Sequence, residues 1–278
     1  MRALTLFSAL ILAAPVFAQQ AAMDSVMAGV AKYAGKFDSA AGWAAQETMV
    51  QKGYEETVHH GLHVGFATED QQKPEMITRE LMNLYGFTSD PSIHEVREVT
   101  AVDGKPRKND PALFVSAMQG KVAAHKKLMD QFEHASIDVA ANDFGPLVLL
   151  FTKGQQPNYD FTFAGESLIG AERVLLIRYR QNTGQAALHL KEGSKDASAP
   201  LTGQIEARES DFAPLRITIS SARKGVRDEA EVDYIPQGDD LVLPASIVYR
   251  RYVKDNLTAE DRSRFTGWHR VNGAPGAH

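Results

Sequence analysis

Apolar positions along this chain follow two periods. In the first half they recur every three or four residues over two stretches. Between residues 20 and 38, Met23, Val26, Met27, Val30, Tyr33 and Phe37 keep that spacing, which predicts an amphipathic helix. A second helix is predicted from Asp110-Pro111, where Asp caps the first turn and Pro fits its first position. Phe114, Met118, Val122, Met129 and Phe132 carry one stripe from there to about His134. A shorter helix is expected over 144–151, with Gly154 placed to end it.

From residue 159 the period changes to two. Strands are predicted near 159–164, 171–180, 203–208, 214–221, 229–235, 243–253 and 263–271. Leu215, Ile217 and Ile219 alternate with Arg216, Thr218 and Ser220, and Ala230, Val232 and Tyr234 alternate with Glu229, Glu231 and Asp233. One buried and one wet face is the mark of an antiparallel sheet. Residues 173–179 are apolar on both faces, so that strand should lie under a helix. Upstream, 42–51, 77–87 and 93–102 also suit strands, the last ending at the turn Asp103-Gly104. Residues 52–75 read as a polar loop or ragged hairpin, and 191–202 as a flexible loop. The expected fold class is α+β: one curved antiparallel half-barrel sheet of about ten strands, with about three helices on its concave face. There is no internal repeat.

The first residues change the picture of where this domain works. Arg2, a short apolar core over Ala3–Ala14, Pro15 and the small-residue pattern Val16-Phe17-Ala18 read as a secretory signal peptide over 1–18. A single domain over 19–271 and a disordered tail over 272–278 would remain. The 278 residues contain no cysteine, which excludes disulfides, cysteine metal sites, a thiol nucleophile and a lipidated-cysteine anchor. No later apolar run reaches the roughly 18 residues of a spanning helix. A net charge of −5 and the absence of a Lys/Arg-rich block argue against nucleic acid as a partner. The expected location is the bacterial periplasm or outside the cell.

Candidate chemistry is sparse. His59, His60 and His63 cluster, with Glu55, Glu56 or Asp70 able to add an oxygen ligand, but His59 and His60 would face opposite sides of a strand. A solvated loop explains them as well, and no metal ligand is assigned. His94-Glu95 opens like a zincin motif, yet Glu98 stands where the second His is needed. Gly165-Glu-Ser167-Leu-Ile-Gly170 has one residue too many for a nucleophile elbow and sits in a hairpin, so Ser167 reads as a turn residue. Gly29–Lys36 has the wrong spacing for a P-loop, and Phe37 replaces its Ser/Thr. The acidic pairs Glu55-Glu56, Glu69-Asp70 and Asp239-Asp240 read as solvated surface. The Asn256-Leu-Thr258 sequon carries little weight in a bacterial protein. No catalytic motif and no cofactor follow.

The C-terminal half has a recognisable rhythm. Gly203-Gln-Ile205-Glu is followed by Ala213-Pro214-Leu215-Arg216-Ile217, then Val232-Asp-Tyr234, then Leu243-Pro244-Ala245-Ser-Ile247, and a strand ending Arg264-Phe265. This resembles the outer-membrane lipoprotein carrier superfamily (LolA, LolB and the RseB sensor domain), whose strands of an incomplete barrel carry such motifs. Arg97-Glu-Val99-Thr-Ala-Val102-Asp103-Gly104-Lys-Pro106 is similar to a segment of exported proteins of Acidobacteria type. The resemblance spans about 75–271, and its motifs encode strand ends and turns. Glu209 stands where the pattern often has Asp. The family's cavity arginine has no match by motif, so no individual residue is carried over. The resemblance implies carriers, receptors or sensors.

Alternation alone gives a ligand lining of Leu175, Ile177, Leu215, Ile217, Val232, Tyr234, Ile247 and Phe265. The expected function is non-catalytic binding of a hydrophobic small molecule or lipidated protein, with the 110–134 helix as a lid. A sensor or scaffold for a protein partner is the second reading, and a metal-dependent hydrolase the third.

Overall fold

The computed structural model describes residues 13–39, 42–54, 75–85, 95–132, 144–183, 190–192, 195–197, 199–238 and 240–270. Eleven strands form one sheet that is antiparallel throughout and does not close. In chain order they are β1 (Trp43–Gly53), β2 (Glu75–Tyr85), β3 (Glu95–Val102), β4 (Lys105–Pro106), β5 (Tyr159–Ile169), β6 (Glu172–Gln181), β9 (Thr202–Arg208), β10 (Pro214–Arg223), β11 (Val226–Gln237), β12 (Leu241–Val253) and β13 (Asn256–Arg270). Between β6 and β9, β7 (Leu190–Glu192) and β8 (Lys195–Ala197) form a separate small ribbon within the expected 191–202 loop. Across the sheet the order is β4-β3-β2-β1-β13-β12-β11-β10-β9-β6-β5. The architecture is a curved α+β half-barrel, and all ten strands expected from the alternation are present.

Register explains why the pattern was readable. Ile177, Ile205, Ile217, Val232, Ile247 and Ser263 are successive partners across six strands, forming one row on one face. The next row runs Tyr179, Gly203, Ile219, Ala230, Tyr249, Asp261 and Gln51. The inner face is thus apolar on the β6 side and polar toward β13 and β1.

Helix α1 (Ala13–Ser39) buries Met23, Val26, Met27, Val30, Tyr33, Ala34 and Phe37 in the cluster built on this face. Each large side chain so buried contributes about 1.5–3 kcal/mol. The expected helix over 144–151 is a 3-10 segment, Gly145–Phe151, wedged against α1 with Leu147, Val148 and Phe151 inward. The Tyr234 hydroxyl pins it, donating to the Gly145 carbonyl (2.9 Å) and accepting from the Val148 N–H (3.1 Å).

The helix expected over 110–134 is instead two. These are α2 (Pro111–Met118) and α3 (Val122–Met129), broken at Gly120, whose φ of 76° leaves the helical region. Asp110 caps α2 by accepting from the Leu113 N–H. Phe114, Ala117, Ala124 and Leu128 pack with Ala44 and Val96 in a cluster of their own, at the β1–β3 end of the sheet. The element over the main apolar face is α1, not the 110–134 segment expected as a lid.

Candidate functional site

An open groove of about 750 Å³ runs between α1 and residues 153–161, where β5 begins. Met23, Met27, Ala28 and Ala31 form its helical wall, with Pro157, Tyr159 and Phe161 opposite. The two sides arise differently. Helical spacing brings Met23, Met27 and Ala31 onto one flank of α1. The 3-10 turn Gln156–Asn158 swings the chain out before β5 starts. Asp24, Lys32, Lys153, Gln156 and Asp160 border the apolar part. The volume falls within the range of small-molecule pockets, roughly 300–1,000 Å³.

Behind Tyr159 stand the rings of Phe151, Phe161 and Tyr179, with centroids 5.7, 6.1 and 5.7 Å from its own. Burial pushes the Tyr159 phenol up to about 12, so it stays a neutral donor. Among the described residues its buried hydroxyl has no hydrogen-bond partner. An unmade bond of this kind costs about 1–3 kcal/mol.

The helical wall is fastened at separate polar points. The Tyr33 hydroxyl donates to Asp211 Oδ2 (2.9 Å) in the β9–β10 turn. Asp211 also takes a two-pronged bond from Arg208 (2.9 and 2.7 Å) and the Ala213 N–H. Arg208 first, then Ala213 and Tyr33, hold the Asp211 carboxyl down at about 2. Lys32 pairs with Asp240 at 2.8 Å, and the Gln156 side chain donates to the Met27 carbonyl at 2.7 Å. Gly29 passes so close to Phe212 that an added Cβ would lie 2.5 Å from the Phe212 Cβ.

At the polar end of the inner face, two buried arginines grip carboxylates, and Arg97 also lies 3.7 Å from Glu95. Arg251 grips Asp228 through both arms (2.8 Å each), with Tyr249 donating to the same carboxylate. Arg97 grips Glu47 (3.0 and 2.6 Å) and lies 4.6 Å over the Phe132 ring. A cavity of about 20 Å³, one water's worth, sits among Glu95, Arg97, Phe132, Tyr249, Asp261 and Ser263.

Seven of the eight residues chosen by alternation are buried, and Leu175 is half-buried against the same cluster. The fold brings all eight together on the apolar region beneath α1 and the 3-10 segment. Ile247 borders the small cavity, and none of the eight borders the open groove. Sequence reasoning did not assign the groove residues. Met23 and Met27 belong to the predicted helical stripe, and Tyr159 and Phe161 to a predicted strand. Arg97 and Arg251 gave no signal, because buried arginines are recognised only through their partners.

Ser167 is an exposed strand residue of β5, not a turn residue, and the Gly165 signal marks a bulge at φ 123°. Asp240 is the partner of Lys32, and Glu98 accepts from the Asp110 N–H. His59, His60, His63, the pairs Glu55-Glu56 and Glu69-Asp70, His94, Asp239 and the 272–278 tail lie outside the described residues. Among the described residues, no three His, Asp or Glu side chains converge to hold a metal ion, and no helix is long and apolar enough to cross a membrane.

Three solved structures are similar to this chain. A domain described as an outer membrane lipoprotein-sorting protein from Vibrio parahaemolyticus has a TM-score of 0.42 at 9% identity, covering 92% of this chain and 95% of its own. A LolA superfamily protein from Nitrosomonas europaea gives 0.39 at 7% identity, covering 91% and 94%. A DUF1329 family protein from Desulfovibrio piger gives 0.35 at 11% identity, covering 91% and 96%. No family model and no curated protein matches the chain. Likeness of this degree states what the chain is similar to and nothing of what it binds.

Proposed function

We propose that this chain is a non-catalytic periplasmic binding protein that carries an apolar ligand, an acyl chain or a lipid-modified protein, after removal of residues 1–18. The open groove between α1 and the start of β5 carries this reading. Its wall begins at Met23, beyond the expected cleavage point, so it belongs to the mature chain. Burial of an acyl chain there gains about 25 cal/mol per Å² of apolar surface removed from water. Lys153 at the rim suits an anionic head. The face holding Leu175, Ile177, Leu215, Ile217, Val232, Tyr234, Ile247 and Phe265 lies directly behind. It becomes the deeper part of the site when α1 swings away from its polar fastenings.

A protein partner is the second reading. Strand β5 is a long sheet edge, and Phe163 and Leu168 on it are exposed, so an extended peptide would pair there.

Titration with a fluorescent fatty acid tests the first reading. The mature protein should take up the probe. Ala28→Trp, at an exposed position on the groove wall, should weaken uptake roughly tenfold while changing stability by no more than about 0.5 kcal/mol. Undiminished uptake by the Trp variant would remove the groove from the account.

A further inference from the structure

The α2–α3 hairpin has a charge opposite to that of the whole molecule. Residues 105–127 hold six cations (Lys105, Arg107, Lys108, Lys121, Lys126 and Lys127) against one acid, Asp110, a net +5 in a chain of net −5. Lys105, Arg107 and Lys108 precede α2, and Lys121, Lys126 and Lys127 lie at and along α3. All six are exposed. Among the described residues none of them forms an ion pair, and Asp110 is turned to its cap.

The outward side of the hairpin is not purely polar. Ala124 and Leu128 point inward from α3, which leaves Val122 above Lys126 and Ala123 above Lys127 on the outer side. Val122 is 61% exposed and Val115 on α2 is 45% exposed. Cations with small apolar side chains between them match a surface that is anionic at its face and apolar beneath. A polyanion with no apolar layer would leave the two valines uncovered.

We infer that the α2–α3 hairpin docks this protein on an anionic bilayer surface, with Val115 and Val122 against the headgroup–acyl boundary. The contact is peripheral and electrostatic, so it is weakened by salt. It lies on the β3 side of the sheet, whereas the groove lies by β5 at the opposite edge. The inference does not rest on the carrier reading, because vesicle binding and ligand uptake are measured separately.

The experiment is co-sedimentation of the mature protein with vesicles of phosphatidylglycerol in phosphatidylcholine, and of phosphatidylcholine alone, at low and high salt. Partition to the anionic vesicles should be tenfold or more stronger, and high salt should erase the difference. Lys121→Glu with Lys126→Glu and Lys127→Glu should lose at least tenfold. Arg107→Glu with Lys108→Glu, outside both helices, should lose several-fold, and Val122→Ser a factor of two to five at unchanged charge. Circular dichroism of each variant establishes that it is folded. Equal partition to both vesicle types would overturn the inference. So would charge-reversed, folded variants that bind as well as the parent, or binding to single-stranded DNA without binding to vesicles.

Discussion

Gly203 occupies a place where no other residue fits. A Cβ there would lie 2.0 Å from the Thr218 carbonyl oxygen and 2.6 Å from the Tyr179 hydroxyl. That gap lets Tyr179 cross β9 and donate to Thr218 O at 2.7 Å, which seats its ring against Phe151 and Tyr159 behind the groove. Gly203→Ala should therefore cost about 3 kcal/mol in urea unfolding, since neither the neighbouring backbone nor the buried phenol can give way. A variant as stable as the parent would show that Tyr179 is not held there. Gly203 was visible in the sequence as part of a strand motif, but its reason was not, because the crowding comes from β6 and β10. Buried Gln51, Arg97 and Arg251 were equally hidden. Nothing in a strand's alternation says whether a polar residue on the inner face will find a partner.

Among the elements, the strands were legible and the helices less so. Each strand from β9 to β13 has one buried face, so its period of two survives in the sequence; the ends fall within about three residues of those expected except in β13, which begins at Asn256, seven residues before 263. The 110–134 stripe misled because both α2 and α3 turn apolar residues inward. The stripe runs on through Gly120 although the helix does not. α1 was found, but its fastening was not, since Tyr33 and Asp211 are far apart in the chain. That fastening depends on pH in a stated direction. Asp211 ionises at about 2 in the folded protein against 3.8 ordinarily. Its contribution is thus complete above about pH 4 and is lost as pH falls toward 2. Asp211 is partly exposed (38%), and solvent screening limits the effect to about 1 kcal/mol. Between pH 4 and 2 the parent should lose more thermal stability than Asp211→Asn. Parallel losses in the two proteins would mean that the Tyr33–Asp211–Arg208 contact does not hold α1.

At the scale of the whole molecule, one sheet carries two chemistries. Its inner face is apolar from β6 to β12, beneath α1 and the 3-10 segment, and the groove opens where α1 meets the start of β5. The inner face carries buried ion pairs across β11–β12 and toward β1 and β3, where the α2–α3 hairpin packs. A sheet built only for stability has little use for buried ion pairs, which hydrophobic residues replace at no loss or even a gain. The apolar end was foreseeable from composition and alternation. The groove was not, because it depends on how α1 packs on the 3-10 segment and leaves residues 153–161 beside it. The claim that this groove carries an apolar ligand is tested most directly by native mass spectrometry of the mature protein purified from a bacterial periplasm, with organic extraction of the same sample. The account predicts a bound lipid or acyl species at near-stoichiometric amount, lost in Ala28→Trp. A clean ligand-free mass, with no uptake of a fatty-acid probe, would contradict it.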